Sequence, residues 1–365
     1  MALLLPLGLL SVAAVAWIMG WGVLRVLLLL VVMWIAILGL MLAAPAAEYR
    51  SFSGFDVQSW LVTGLVLALV LGYAAIIRRL RGAARARWGA ENAPGAVAPR
   101  QTSDKIHSGA RQADALDRYA RHYVLREIGG PGQGRLRDSS VLIVGAGGLG
   151  SPAALYLAAA GVGRLCIADP DEVSLSNLQR QILFRTADTG RPKGMAAAEA
   201  LRALNPYIDI HAISQRIGAG DAELIAGFDL VLDGCDSFAD RARINALCAR
   251  AGVPLIAGSI SQWEGQLSLY DPAGGGPCMA CIFPDPPAPG LAPSCAEAGV
   301  VGPLPGVIGS MMALEAIKEI AGAGTGLRSQ MVIFDGLHGE TRRISLRRRA
   351  DCPVCSGVAE RGHEA

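Results

Sequence analysis

The sequence predicts an α/β protein: a doubly wound, mostly parallel sheet with an antiparallel extension, preceded by transmembrane helices. Three observations predict it. Apolar residues crowd the first eighty positions and then thin to an ordinary soluble composition. After residue 140, β-forming and helix-forming stretches alternate, which gives parallel strands covered on both faces. From Gln262 onward the alternation gives way to paired strands around one long helix.

Leu3 to Ala44 is apolar apart from Arg25. As one helix it would measure roughly 60 Å at about 1.5 Å per residue, twice the roughly 30 Å hydrocarbon core of a bilayer. The segment is therefore read as two spans, 2–20 and 23–42, turning at Gly20-Trp21-Gly22, with Arg25 snorkelling to an interface. One long tilted helix is the alternative. Trp60–Ile77 is long enough to cross once more. Ala43-Ala44-Pro45-Ala46 has the look of a signal-peptidase site, but the preceding apolar run far exceeds the roughly 7–15 residues of a signal core. Arg78, Arg79, Arg81, Arg85 and Arg87 follow the third span. The positive-inside rule then places everything after them in the cytoplasm, beneath a bacterial-type inner membrane, with the bilayer itself as one partner. A formal net charge of +2 gives no support to nucleic acid as another.

The expected organisation is a membrane region over 1–80, a basic flank and flexible linker over 81–113, a catalytic domain over 114–358 and a tail over 359–365. The linker mixes Pro, Gly, Ser and charge without periodicity. A helical stretch, Asp114–Ile128, is expected to stop at Gly129-Gly130. Strands are expected at 141–144, 165–169, 209–215, 230–233 and 254–259, with helices near 151–160, 193–204, 221–226 and 238–251. "EGQLSLYD", "QMVIFDGL" and "TRRISLRR" supply the extension around a helix over 307–321.

"VLIVGAGGLGS" runs a strand into Gly145, Gly147, Gly148 and Gly150 and on into a helix. Such a Rossmann-type loop permits a tight turn, close approach of backbone to phosphate, and close helix–strand packing. Asp169 closes "RLCIAD" where a ribose-binding acid belongs. These features alone suit NAD and ATP equally. "DEVSLSNLQRQILF" decides between them, because Ser176, Asn177 and Gln179 are hydrogen-bonders flanking Leu178, and Arg180 brings a planar cationic fork. Lys193 stands at a helix start that already favours anions. Asp236 ends "LVLDGCD" at the carboxyl end of a strand, where it can hold Mg²⁺ on phosphates or cap the next helix, with Ser237 competing for the cap. Together these describe a triphosphate site with a metal. Hydride transfer would leave Arg180 and Lys193 idle, so an NAD-dependent oxidoreductase is the remote alternative.

The eight cysteines include two Cys-x-x-Cys pairs, Cys278/Cys281 and Cys352/Cys355. Each pair presents two thiolates from one tight turn, and two such turns make a closed tetrahedral zinc site. Neither pair is expected to open a helix as a redox motif would. Cys166, Cys235 and Cys248 lie within apolar patterns and read as inert core residues. Cys295 sits in a Pro/Gly-rich segment, "FPDPPAPGLAPSCAEAG", read as an exposed loop that a partner can reach.

"RYARHYVLREIGGPGQGRL", "VLIVGAGGLGSPAALYLAAAGVG", "DPDEVSLSNLQRQILF", "GRPKGMAAAEALRALNP", "PCMACIFP", "CAEAGVVGPLPGVIGSMMALEAIK" and the final "CPVC" occur in this order, and the chain resembles the E1-like adenylyltransferases of the MoeB/ThiF/HesA family from about Leu116 to Ser356. Within it the molybdopterin-synthase adenylyltransferases are the most similar group. The resemblance implies a ThiF-type fold, MgATP, and a small ubiquitin-like sulfur carrier (MoaD-like, or alternatively ThiS-like) whose C-terminal glycine carboxylate is adenylylated with release of pyrophosphate. It implies that Gly148 and its neighbours approach the nucleotide and that Asp169 holds the ribose. Asn177, Arg180 and Lys193 would contact phosphates and Asp236 would serve Mg²⁺. Arg121 resembles the arginine that reaches into the partner's site across a homodimer, and Cys295 a loop cysteine that in some relatives forms a covalent thiol link during sulfur transfer. Ser237 stands where Asn is usual, and His122 where Gln is usual. Ten residues follow Cys355 here, so no sulfur-donating domain is expected after it and the sulfur donor is expected to be another protein acting in trans. A non-catalytic, membrane-anchored carrier-binding protein is a further alternative.

Overall fold

The chain divides into two compact units, Met1–Ala90 and Glu91–Ala365. In the computed structural model the described residues are Arg79, Asp114, 116–286 and 298–359. The three expected spans (Arg79 follows the third), the whole of the linker and Cys295 lie outside them. Among the described residues no helix is long and apolar enough to cross a membrane.

The second unit opens with α1 (Ala120–Tyr123) and α2 (Gly129–Asp138), then runs β1 (Ser140–Val144), α3 (Gly150–Ala160), β2 (Arg164–Ala168), α4 (Lys193–Leu204) and β3 (Asp209–Ile213). It continues through α5 (Ala222–Ala226), β4 (Leu230–Asp233), α6 (Phe238–Ala251), β5 (Leu255–Ile260) and β6 (Glu264–Tyr270). The one-turn α7 (Met279–Ile282), the long α8 (Pro303–Ala321), β7 (Gln330–Asp335) and β8 (Glu340–Ser345) complete it. The eight strands form one sheet in the order β3-β2-β1-β4-β5-β6-β7-β8. Strands β3 to β5 are parallel, and β5-β6-β7-β8 pair antiparallel, as the sequence pattern predicts. The order reverses between β1 and β4, the switch point at which open α/β sheets bind ligands.

β1 is buried along its whole length because helices cover both faces of the parallel half. One apolar layer joins β1 and β2 to α3, α4 and α8 through Val141, Ile143, Leu157, Leu201 and Ile308. The other joins them to α5 and α6 through Leu142, Ile225, Ile244 and Leu247. Gly309 lets α8 lie directly on α3's entry, since a Cβ there would stand 2.3 Å from the Leu149 carbonyl oxygen.

One expected boundary is corrected. The helix read over Asp114–Ile128 is broken after α1, and Gly129-Gly130 opens α2 instead of ending a helix. Pro131 falls in the first turn of α2, where no N–H is required. Leu136 is fully buried, and Gly132 packs so closely that a Cβ would meet Ile128 at 3.0 Å and Ala321 at 3.5 Å. Packing against α8 thus outweighs the poor helix propensity of glycine. Similarly, α8 begins at Pro303 rather than Val307, with proline again in the first turn.

Candidate functional site

Strand register places Ile213, Ala168, Val144, Asp233 and Ala257 in one row across the parallel strands, and the row continues through Ser268 and Met331. The loops that leave the carboxyl ends of β1, β2 and β4 rise from this row and enclose a cavity of about 870 Å³. Gly145, Gly147, Gly148, Asp169, Arg180, Lys193 and Asp236 all line it. The sequence reading scattered these residues over ninety positions; the topology brings them to one end of the sheet.

The glycines divide their work. Gly145 has φ +93°, and a Cβ on it would meet the Gly234 carbonyl oxygen at 2.9 Å. At Gly147 the nearest atom, the Gln181 amide nitrogen, is 3.6 Å from where a Cβ would be. Gly150 lies outside the cavity lining, and a Cβ there would fall 1.8 Å from the Gly145 carbonyl oxygen. Gly145 therefore makes the turn, Gly147 faces the open space and Gly150 seats α3 on β1.

Asp169 is buried and ties to the loop: one carboxylate oxygen accepts from the Ala146 N–H at 2.7 Å and the other from the Asp171 N–H at 2.8 Å. Burial pushes its carboxyl up from the ordinary range, with Lys193 and the two N–H groups opposing. Lys193 is nearly fully buried at the start of α4, and its Nζ donates to Asp171 at 2.9 Å. Arg180 donates to Asn177 Oδ1 at 3.2 Å, so Asn177 orients the guanidinium from the single 3₁₀ turn Leu175–Asn177 and does not itself line the cavity. Ser237, not Asp236, caps α6, with its hydroxyl accepting from the Asp240 N–H at 3.4 Å. Asp236 is thereby left exposed at the cavity edge with its carboxylate available to a cation.

The remaining expected residues lie elsewhere. Ser176 is exposed beside Ser174, 3.0 Å between hydroxyl oxygens. Leu178 packs against the core, and Gln179 lies against Gly302 at the start of α8. Arg121 is exposed on α1, outside the cavity lining. Cys235 corrects the core reading: it is half-buried and lines the cavity, while burial, with Asp233, pushes its thiol up.

Cys278, Cys281, Cys352 and Cys355 converge in one buried cluster with all four sulfurs within 4.8 Å of one another. Separations of 3.9 Å (Cys278–Cys281), 3.7 Å (Cys278–Cys352) and 3.4 Å (Cys281–Cys355) approach the about 3.8 Å edge of a tetrahedron with metal–sulfur bonds of about 2.3 Å. The donor set and spacing therefore fit a four-coordinate metal with no open position. Contrary to expectation Cys278 does open a helix, the single turn α7. Burial pushes the Cys352 thiol up, but N–H groups of Val354 and Cys355 and the neighbouring thiols outweigh it and bring it down to about 7. The Arg348 guanidinium braces the second turn through the carbonyls of Pro272 (3.0 Å), Cys355 (2.5 Å) and Val358 (3.2 Å).

The model of the ThiF family matches residues 119–354. The chain belongs to the ThiF family. Over 247 residues it is 44% identical to the sulfur carrier protein adenylyltransferase of Thermus thermophilus, spanning 66% of this chain and 91% of that relative. It is 47% identical over 241 residues to the sulfur carrier protein ThiS adenylyltransferase of Escherichia coli, spanning 66% and 95%. The SAMP-activating enzyme E1 of Haloferax volcanii is 43% identical, spanning 67% and 90%. Among solved structures, Escherichia coli MccB with ATP superposes with a TM-score of 0.56 at 20% identity, covering 68% of this chain and 82% of that one, which is a likeness of fold. As a ThiF-family member the protein is an adenylyltransferase.

Two cavity features of this adenylyltransferase escaped the sequence reading. Arg241 lines the cavity, with its Nε 3.5 Å from the fully buried carboxylate of Asp233. Gln181 and Ser268 line it too; the buried side-chain oxygen of Gln181 has no hydrogen-bond partner, while the Ser268 hydroxyl lies beside Tyr270. Only Gln181 had a legible signal, since it directly follows Arg180; Gln179, two places earlier, looked equivalent.

Proposed function

We propose that this adenylyltransferase uses ATP to adenylylate the C-terminal glycine carboxylate of a small ubiquitin-like sulfur carrier of the MoaD type. The observation that carries the reading is the convergence of the glycine loop, Asp169, Arg180, Lys193 and Asp236 on one cavity at the switch point. The carboxylate attacks the α-phosphorus, the carrier's acyl-adenylate forms, and pyrophosphate leaves. The nucleophile is already ionised, so no general base is required; the barrier lies in bringing an anion to a polyanion. Arg180 and Lys193 supply positive charge, Asp169 holds the ribose, and the loop N–H groups face the phosphates. The residues fit magnesium at Asp236, where the ion would neutralise phosphate charge. Arg121 is assigned to the active site of a second copy in a homodimer, and zinc to the four-cysteine cluster. The apolar segments before residue 80 and the arginines after them support tethering to an inner membrane with the enzyme in the cytoplasm.

A ThiS-type carrier is the second reading, favoured by the 47% identity to the ThiS adenylyltransferase. Exchange of labelled pyrophosphate into ATP by the full chain, with MoaD-type and ThiS-type carriers in separate reactions, decides between them. Exchange with the MoaD type alone is expected. Arg180→Ala should then lower the rate on the order of 10²–10³-fold, as loss of one transition-state charge partner does. No exchange with either carrier would overturn the proposal.

A further inference from the structure

Asn245 stands on α6, is 2% exposed, and lies outside the cavity lining. Its Oδ1 accepts from the Met279 N–H at 2.8 Å, which pins α6 to α7 at the residue that follows Cys278. A carboxamide has one accepting end, so this bond fixes its orientation and leaves Nδ2 as a donor. That nitrogen is fully buried, no oxygen accepts from it, and the side chain lies beside the Cys278 sulfur. A buried amide donor without an oxygen acceptor is uncommon in folded proteins and calls for another partner. Burial pushes the Cys278 thiol up, and the Asn245 side chain is the first group to oppose that. A thiol accepts a hydrogen bond weakly, whereas a metal-bound thiolate is an anion and accepts well. The cluster already shows such a contact, because the Arg349 N–H donates to the Cys281 sulfur at 3.4 Å.

Resting on the zinc reading of the four-cysteine cluster, we infer that Asn245 is a positioning residue for the metal: its Nδ2 donates to the Cys278 thiolate and ties the metal site to α6. Four thiolates around one divalent ion leave an excess of negative charge in a buried place. A donor from outside the two Cys-x-x-Cys turns offsets part of it. The same helix carries Arg241 on the cavity and starts beside Asp236, so the bond joins the metal site to the element that borders the cavity. Asn245→Leu removes both hydrogen bonds. Asn245→Asp keeps an acceptor for Met279 and sets a carboxylate oxygen, in place of the donor, against the thiolate.

The test is metal binding by the full chain and both variants, with Zn²⁺ in competition with a chelator and with Co²⁺ followed by absorption. Loss of a group that hydrogen-bonds a metal ligand lowers metal affinity about 10- to 100-fold. Both variants should weaken Zn²⁺ by about that factor. A donor steadies the sulfur lone pairs, so its loss should move the sulfur-to-cobalt charge-transfer band to longer wavelength, which a merely structural role would not do. An unchanged Zn²⁺ affinity, or a weakened one with the cobalt band unmoved, would overturn the inference. Should neither variant melt cooperatively, the wild-type chain loaded with ¹¹³Cd²⁺ decides. Spin coupling from the metal to the Asn245 side-chain amide is expected, and its absence overturns the inference. A wild-type chain that binds neither Zn²⁺ nor Co²⁺ would overturn the zinc reading together with this one. Wild-type binding with variants indistinguishable from it overturns only this one.

Discussion

Replacing Gly150 by alanine should separate the structural glycine of the loop from the glycine that faces ligand. The added Cβ would lie 1.8 Å from the Gly145 carbonyl oxygen and 2.9 Å from its carbon, with Ile143 at 3.4 Å behind it. Neither backbone nor buried strand can yield by rotating a side chain, so α3 must lift from β1. Overpacking of this kind costs about 1–3 kcal/mol, and a backbone clash belongs at the upper end. Alanine's better helix propensity returns roughly 0.8 kcal/mol, leaving about 2 kcal/mol. For a unit of this size that lowers the melting midpoint by about 4–8 °C. Gly147→Ala is the control: its Cβ finds nothing closer than 3.6 Å, so its midpoint should hold while MgATP affinity falls. Both are read by thermal unfolding of the full chain, with MgATP binding alongside. A Gly150→Ala protein as stable as wild type, or a Gly147→Ala protein equally destabilised, would refute this division of roles.

Three further outcomes are expected. Elemental analysis should find one zinc per chain, and chelation or Cys352→Ser should lower the melting midpoint; a metal-free chain of unchanged stability would remove the four-cysteine assignment. Burial raises the Asp240 carboxyl, but hydrogen bonds from Arg216 and Arg243 outweigh it, so its pKa lies below the ordinary value. A depressed acid contributes stability that is complete above the ordinary aspartate range, about 3.9, and lost as pH falls through the lowered value. Asp240→Asn should accordingly melt below wild type at neutral pH, with the gap closing in acid; a gap that persists at the lowest pH would contradict the ion-pair origin. Cys295→Ala should leave pyrophosphate exchange intact, and loss of exchange would tie that thiol to adenylation.

The order and type of the main elements were readable because each rests on local pattern. Alternating apolar runs marked β1 to β5, and Lys193–Leu204 and Phe238–Ala251 match α4 and α6 to the residue. The glycine spacing and the acid at 169 likewise marked a nucleotide site. Misreadings occurred where packing decides. Gly129-Gly130 has the composition of a helix stop, yet it opens α2, which packs through Gly132 on Ile128 and Ala321. In the stretch from Ser176 to Gln181 every residue but Leu178 is polar, and only the folded loop shows that Arg180 and Gln181 line the cavity while exposed Gln179 lies against Gly302.

From the chain alone came the ThiF-type sheet, the two cysteine pairs and the cations suited to a triphosphate, because periodicity, spacing and charge are properties of short segments. The fold brings the four thiols, expected from their paired spacing to share one site, together across a separation of 74 positions. It alone also freed Asp236 by giving the helix cap to Ser237 and left Gln181's oxygen without a partner. Those outcomes depend on strand order and register, which bring distant residues within hydrogen-bonding reach, and no local pattern encodes a distance.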